Sequence, residues 1–139
     1  MTTTAIFELS QSFIFEAAHT LHRTVPLAEF ESSARIHGHT YQAEITIRGT
    51  KGESGMIEFA RPGKVGPLVV DLFVLRGIVA KILEYLDHQF LDEVQDLGPA
   101  TLENLCEFIA TKASESIPVH AVTVSRAAGD KCRLIVGPQ

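Results

Sequence analysis

The chain has 139 residues, 45% hydrophobic and 21% charged, the proportions of an ordinary soluble globular protein with enough length for one domain, 1–139, and a real core. Net charge is -5 and the twelve Lys and Arg are scattered, which excludes the basic patch that nucleic acid or an anionic membrane requires, though not a small phosphorylated ligand. Two cysteines, Cys106 and Cys132, are too few for a disulfide framework; with no signal peptide and no apolar run near the ~20 residues of a membrane helix, a cytoplasmic protein is expected.

Ala5–His19 alternates as a strand, with Phe13, Phe15, Ala17 and His19 on one face and Ile14, Glu16 and Ala18 on the other. A polar, turn-rich segment follows from Thr20 to about Arg35. The clearest strand comes next: His37, His39, Tyr41, Ala43, Ile45 and Ile47 share a face, and Gly49 is expected to end it. Met56–Ala60 reads as a short returning strand, Arg61–Gly66 as a Pro/Gly loop, and Leu68–Val70 as extended chain. The stretch 49–66 brings Lys51, Arg61 and Lys64 and stands as a lid, a phosphate-contacting loop or an extended hairpin.

Asp71 is placed to cap a helix to about Leu86, with Leu75, Ile78, Val79, Ile82 and Leu86 at helical spacing. Thr101 caps a second, whose stripe is Leu102, Leu105, Cys106, Ile109 and Ala113. Val119–Ser125, a turn at 128–130 and Cys132–Val136 complete a hairpin. The resulting class is α+β, in the order ββααββ: an antiparallel four-stranded sheet with two helices on one face.

Three of the six histidines have an organised placement. In His37-Gly38-His39 two imidazoles two residues apart on a strand point to one face, their Cα atoms roughly 6.5–7 Å apart, which lets both rings meet one ion. His19 ends the inward face of the strand that can pair with this one. Three neutral imidazoles suit Zn2+ and leave a fourth position open, as in a catalytic site. The competing reading is of unconnected histidines, each hydrogen-bonded in a half-buried sheet.

Four linked motifs carry a family resemblance: Phe15-Glu16-Ala17-Ala18-His19, His37-Gly38-His39-x-Tyr41, Leu86-Asp87-His88-x-x-Leu91 and Thr101-x-Glu103-Asn104. In order and spacing they resemble the 6-pyruvoyl-tetrahydropterin synthase family, which includes the 6-carboxy-tetrahydropterin synthases of queuosine biosynthesis. The resemblance implies a T-fold, assembly as a homo-oligomer (hexamer or trimer) with a ligand pocket between subunits, and a zinc-dependent lyase acting on dihydroneopterin triphosphate or a related pterin. It implies His19, His37 and His39 as zinc ligands, Asp87 and His88 as an acid–base pair, and Thr101 as a substrate-binding residue. By themselves, Asp87 and His88 read first as a helix C-terminus with a well-placed cation, and only the resemblance turns them into an acid–base pair.

Two positions depart from the family pattern. The general-base cysteine four residues before the first histidine of His-Gly-His is here Ser33, whose hydroxyl is a far weaker acid than a thiol of pKa about 8.5. A glutamate that some members carry three residues before that histidine is here Ala34. The glutamate that anchors the pterin aligns with Arg126, which has only donors. Arg126 stands either as a contact for an anionic group or as a surface residue. Three functions follow: a pterin lyase with altered chemistry, a T-fold enzyme with another substrate, or a zinc-retaining homologue that only binds.

Overall fold

In the computed structural model, residues 5–21 and 34–137 are described. Ser33 and most of the expected connection from Thr20 to Arg35 lie outside them. The elements are β1 (Phe7–His19), β2 (His37–Lys51), β3 (Ile57–Phe59), β4 (Leu68–Val70), α1 (Leu72–Leu86), β5 (Gln89–Phe90), a 3-10 turn (Leu91–Glu93), α2 (Leu102–Ser114), β6 (Ala121–Arg126) and β7 (Lys131–Ile135).

The alternating patterns of β1 and β2 produce a 13-pair antiparallel ladder from Phe7↔Gly49 to His19↔His37. On its inward face Phe13, Phe15, Tyr41, Ala43, Ile45 and Ile47 are buried. Phe15 stacks on Tyr41, ring centroids 4.9 Å apart and planes 16° from parallel. The other edge of β2 pairs with β6, and β6 with β7, both antiparallel. Val122 and Val124 join the same core from β6.

Both helices start where the sequence caps them. Asp71 Oδ1 accepts from the Val74 amide at 2.9 Å, and Thr101 Oγ1 from the Asn104 amide at 3.1 Å, each satisfying a donor that the first helical turn leaves without a partner. The buried stripe of α1 is the expected one: Leu75, Ile78, Val79, Ile82 and Leu86. In α2 the stripe is wider than expected, adding Phe108 and Ala110, while Leu102 is only half-buried.

The four-stranded antiparallel description needs three corrections. β5 pairs parallel with β1 through Ala17↔Gln89 and Ala18↔Phe90, so the sheet is mixed and has seven strands among the described residues. β2 does not stop at Gly49 but runs to Lys51 and pairs with β3 through Thr50↔Glu58 and Lys51↔Ile57. A Cβ on Gly49 would lie 2.9 Å from Ile57 Cγ2 and 3.3 Å from Phe59 Cε1, so this glycine permits close packing within a strand instead of ending one. Third, β3 pairs with β4, so 49–66 and the strand after it form an extended hairpin. The Arg61 guanidinium is used inside it, donating to the carbonyls of Gly66 (3.1 Å) and Val65 (2.5 Å). No helix among the described residues is long and apolar enough to cross a membrane.

Candidate metal centre

The inward alternation of β1 and β2 continues past the core and ends on histidines. Register sets His19 opposite His37 and Ala17 opposite His39, so the three rings meet at one end of the ladder. Ring centroids lie 4.5 Å (His19–His37), 5.1 Å (His19–His39) and 5.0 Å (His37–His39) apart. One nitrogen from each ring falls within 4.8 Å of the others. His19 is 2% exposed, and His37 and His39 are half-buried.

Whether these residues suit a metal is tested best at His19. Among the described residues, neither of its ring nitrogens, both buried, has a hydrogen-bond partner. A buried polar group left so costs about 1–3 kcal/mol, a penalty that coordination of a cation relieves. Burial, reinforced by His37 and His39, lowers the His19 pKa from 6.5 to about 4, so at neutral pH the ring is uncharged and its lone pair available. His37 Nδ1 lies 2.7 Å from the Arg35 carbonyl. A carbonyl only accepts, so Nδ1 carries the proton and Nε2 keeps its lone pair, the outer-sphere arrangement usual for a metal-bound histidine. Three neutral imidazoles with such support fit zinc.

A cation of the protein itself reaches the same place. Val122, Val124 and Arg126 alternate inward on β6, and Arg126 pairs across the ladder with Tyr41. Its Nη1 lies 3.2 Å from His39 Nε2. Its Nε donates to Asp130 Oδ2 at 3.1 Å, and Nη2 bonds the same oxygen. Arg126, left by the sequence as an anion contact or a surface residue, is partly exposed and reaches the triad. Burial first, then Arg126 and His37, pushes the His39 pKa down. Burial raises the Tyr41 phenol, whose ring stands edge-on to His39 at 5.6 Å, to about 12, which removes it as a base at neutral pH.

Asp87 and His88 sit where α1 hands over to β5. Asp87 caps the helix end, its amide donating to the Leu83 carbonyl at 2.9 Å. The next position usually holds glycine in a left-handed conformation; here it is His88, at φ 58°. Such a conformation costs a non-glycine residue on the order of 1–3 kcal/mol; Asp96, at φ 69°, is the other such residue among those described. His88 Nδ1 lies 3.0 Å from Asp87 Oδ2, while Asp87 Oδ1 accepts from the Glu16 amide at 3.0 Å. That amide chiefly, with His88 adding to it, holds the Asp87 carboxyl below the usual range. An ionised Asp87 orients His88 with Nδ1–H inward and a free Nε2. His88 lines an open groove of about 530 Å³ with Glu16, Ala18, Gly38 and Thr40, residues that alternate to the sheet face opposite the one bearing the three imidazoles.

Thr101, by contrast, is placed in the α2 cap, where its oxygen is already an acceptor. Asp92 is a residue that pattern reading misses: it accepts from the Thr20 amide at 2.9 Å and from the Thr20 hydroxyl, fixing the chain just beyond His19. It also raises the His19 pKa, against the larger effect of burial. Its only signal in the sequence is its position five residues after Asp87.

A family model of 6-pyruvoyl tetrahydropterin synthase matches residues 8–134. The chain belongs to that family. The 6-carboxy-5,6,7,8-tetrahydropterin synthase of Haemophilus influenzae is 31% identical over 108 residues, 77% of this chain and 67% of that protein. A dihydroneopterin monophosphate aldolase of Pyrococcus furiosus is 26% identical over 104 residues, 75% of this chain and 72% of its own length. Among solved structures, 6-pyruvoyl tetrahydropterin synthase of Caenorhabditis elegans superposes with a TM-score of 0.74 at 20% identity, covering 99% of this chain and 100% of that one. The fold is therefore that of 6-pyruvoyl tetrahydropterin synthases, the T-fold, and the His19, His37 and His39 triad is consistent with the family's zinc site.

Proposed function

We propose that this chain is a zinc-dependent lyase that cleaves the side chain of a dihydroneopterin phosphate. The observation that carries the reading is the convergence of three imidazoles, one of them buried with neither nitrogen partnered among the described residues. Zinc held by His19, His37 and His39 would supply Lewis-acid polarisation of side-chain oxygens. His88, oriented by Asp87, serves as proton acceptor and then donor in the pocket between subunits that the family resemblance implies, since within one chain it borders the sheet face opposite the three imidazoles.

The choice of cleavage over triphosphate elimination rests on which proton must move. Elimination begins by removing a proton from carbon, the task for which the family's cysteine thiol is suited. Ser33 stands there in this sequence, and its hydroxyl is a poor base. Cleavage instead removes a proton from a side-chain hydroxyl, which becomes a carbonyl as the adjacent carbon–carbon bond breaks. The electron pair passes into the ring imine, and a proton is then returned to carbon. A histidine suffices for both transfers, and one relative carries the name of an aldolase.

Incubating the zinc-loaded protein with dihydroneopterin monophosphate and triphosphate, with product analysis, tests this. The expected products are a hydroxymethyl pterin and a glycolaldehyde phosphate. His88→Asn, which tolerates the left-handed backbone, is expected to lower turnover at least about a hundredfold with zinc content unchanged. No turnover together with no pterin binding refutes the proposal. The reading includes assembly as a homo-oligomer in the cytoplasm; a monomer in sedimentation experiments would remove that part.

Arg126 at the triad favours one second reading, a T-fold enzyme for another anionic substrate. Thermal shifts with a panel of pterins, purines and their phosphates separate the two. A preference for a non-pterin, abolished by Arg126→Glu, would support the second.

A further inference from the structure

Arg126 and a metal ion make incompatible demands on His39. An imidazole has two nitrogens, and only a nitrogen without a proton accepts a hydrogen bond. Arg126 Nη1, a donor in every protonation state, lies 3.2 Å from His39 Nε2 and so uses that lone pair. If the metal takes Nε2, the lone pair is no longer there for Arg126. If the metal takes Nδ1, neutral His39 carries its proton on Nε2, and two donors face each other. On either choice the contact breaks when the site fills.

The released guanidinium has little freedom to leave. Its Nε and Nη2 remain on Asp130, four residues along in the β6–β7 turn, and its stem is held in the inward row of β6 after Val122 and Val124. Asp130 removes much of its net charge without using Nη1. That Nη1 then stays beside His39 with a donor to spare, where a metal held by three histidines would have a position left for an anionic ligand. An oxyanion is the group that both a guanidinium and such a position accept.

From this we propose that Arg126 is a metal-gated specificity residue: it blocks His39 in the empty site, and metal binding turns it into the receptor for an anionic group of the substrate. The inference rests on reading the three histidines as the metal site. It makes metal and anion binding cooperative, each strengthening the other by the same factor. It also assigns substrates with a phosphate or carboxylate close to the reacting oxygens, in preference to neutral pterins.

Zinc affinity, measured by competition with a chromophoric chelator, tests this without any turnover. Inorganic sulfate is the probe anion, because it is tetrahedral and complexes free zinc weakly. Without sulfate, Arg126→Met is expected to bind zinc about tenfold more tightly than the unaltered chain, the size typical of changes beside a metal ligand. Sulfate is expected to tighten zinc binding several-fold in the unaltered chain and leave Arg126→Met unmoved. Equal zinc affinity in the two, or an equal sulfate effect on both, overturns the inference and leaves the metal site standing. Folded protein that takes no zinc, by contrast, overturns the metal site and the inference with it. Should Arg126→Met fail to fold, Asp130→Asn reads the same competition with opposite sign. Loss of the carboxylate leaves the guanidinium charge uncompensated, so weaker zinc binding supports the inference and equal or tighter binding overturns it.

Discussion

Acidifying the metal-free protein loads a proton onto His19 in the unfolded chain well before the folded chain accepts one. The unfolded imidazole titrates near 6.5 and the buried one at about 4. Above pH 6.5 neither state holds the proton and His19 has no effect on the pH dependence. Between 6.5 and 4 the unfolded state binds it and the folded state refuses it, so stability falls as pH drops. Below 4 both states are protonated and the loss levels off. The gap of about 2.5 units, at 1.36 kcal/mol each, amounts to roughly 3 kcal/mol, most of it gone by pH 4.5. Since His19 is 2% exposed, solvent screening takes little from this figure. The assay is urea unfolding with chelator present, at pH values from 7.5 to 4.5, for the unaltered chain and for His19→Leu. The variant has no imidazole and no unpartnered nitrogens, so it keeps that portion of its stability on acidification. A stability difference between the two that stays constant from pH 7 to 4.5 refutes the reasoning. At pH 7 zinc at a hundred times its Kd adds about 2.7 kcal/mol to the unaltered chain, an increment that must disappear in His19→Leu.

Other expectations follow from packing and chemistry elsewhere. Phe15→Ala empties a fully buried site and ends the stacking on Tyr41, for a loss of about 3–5 kcal/mol in equilibrium unfolding. Thr101→Ala removes the α2 cap and is expected to cost about 1 kcal/mol; a pterin affinity reduced with stability unchanged would return Thr101 to a binding role. The buried Cys106 thiol, its pKa raised to about 12 by burial and then by Cys132, is expected to resist iodoacetamide at pH 8 until the chain unfolds, as mass spectrometry would show.

Much of the fold is legible because it is local. Strand alternation in β1 and β2, helical spacing in α1 and oxygen-bearing caps at Asp71 and Thr101 each concern residues a few positions apart, and each appears where its pattern places it. What the pattern misses is non-local. β5 is two residues long and has no period to detect; it exists because β1 offers an edge beside Ala17 and Ala18. Gly49 looks like a stop until Ile57 and Phe59 are seen against it. The triad was legible for the same reason as the core, since His19, His37 and His39 extend rows of buried residues. Arg126 also extends such a row, after Val122 and Val124, but that parity says nothing of a contact with His39, 87 residues away. Nor does any sequence signal announce the left-handed backbone of His88.

The 13-pair ladder between β1 and β2 makes alignment and chemistry a single property of the chain. Inserting one residue midway along either strand would turn everything beyond it over. Phenylalanines and tyrosine would meet solvent at the same moment as the imidazoles lost one another. The ladder itself constrains the segment joining the two strands only through its closing pair, His19 and His37. Within the strands, insertions and deletions are barred twice over, once by the core and once by the histidines. An ion on His19 and His37 would act as a stitch across the last rung, recording that the strands had found their proper pairing.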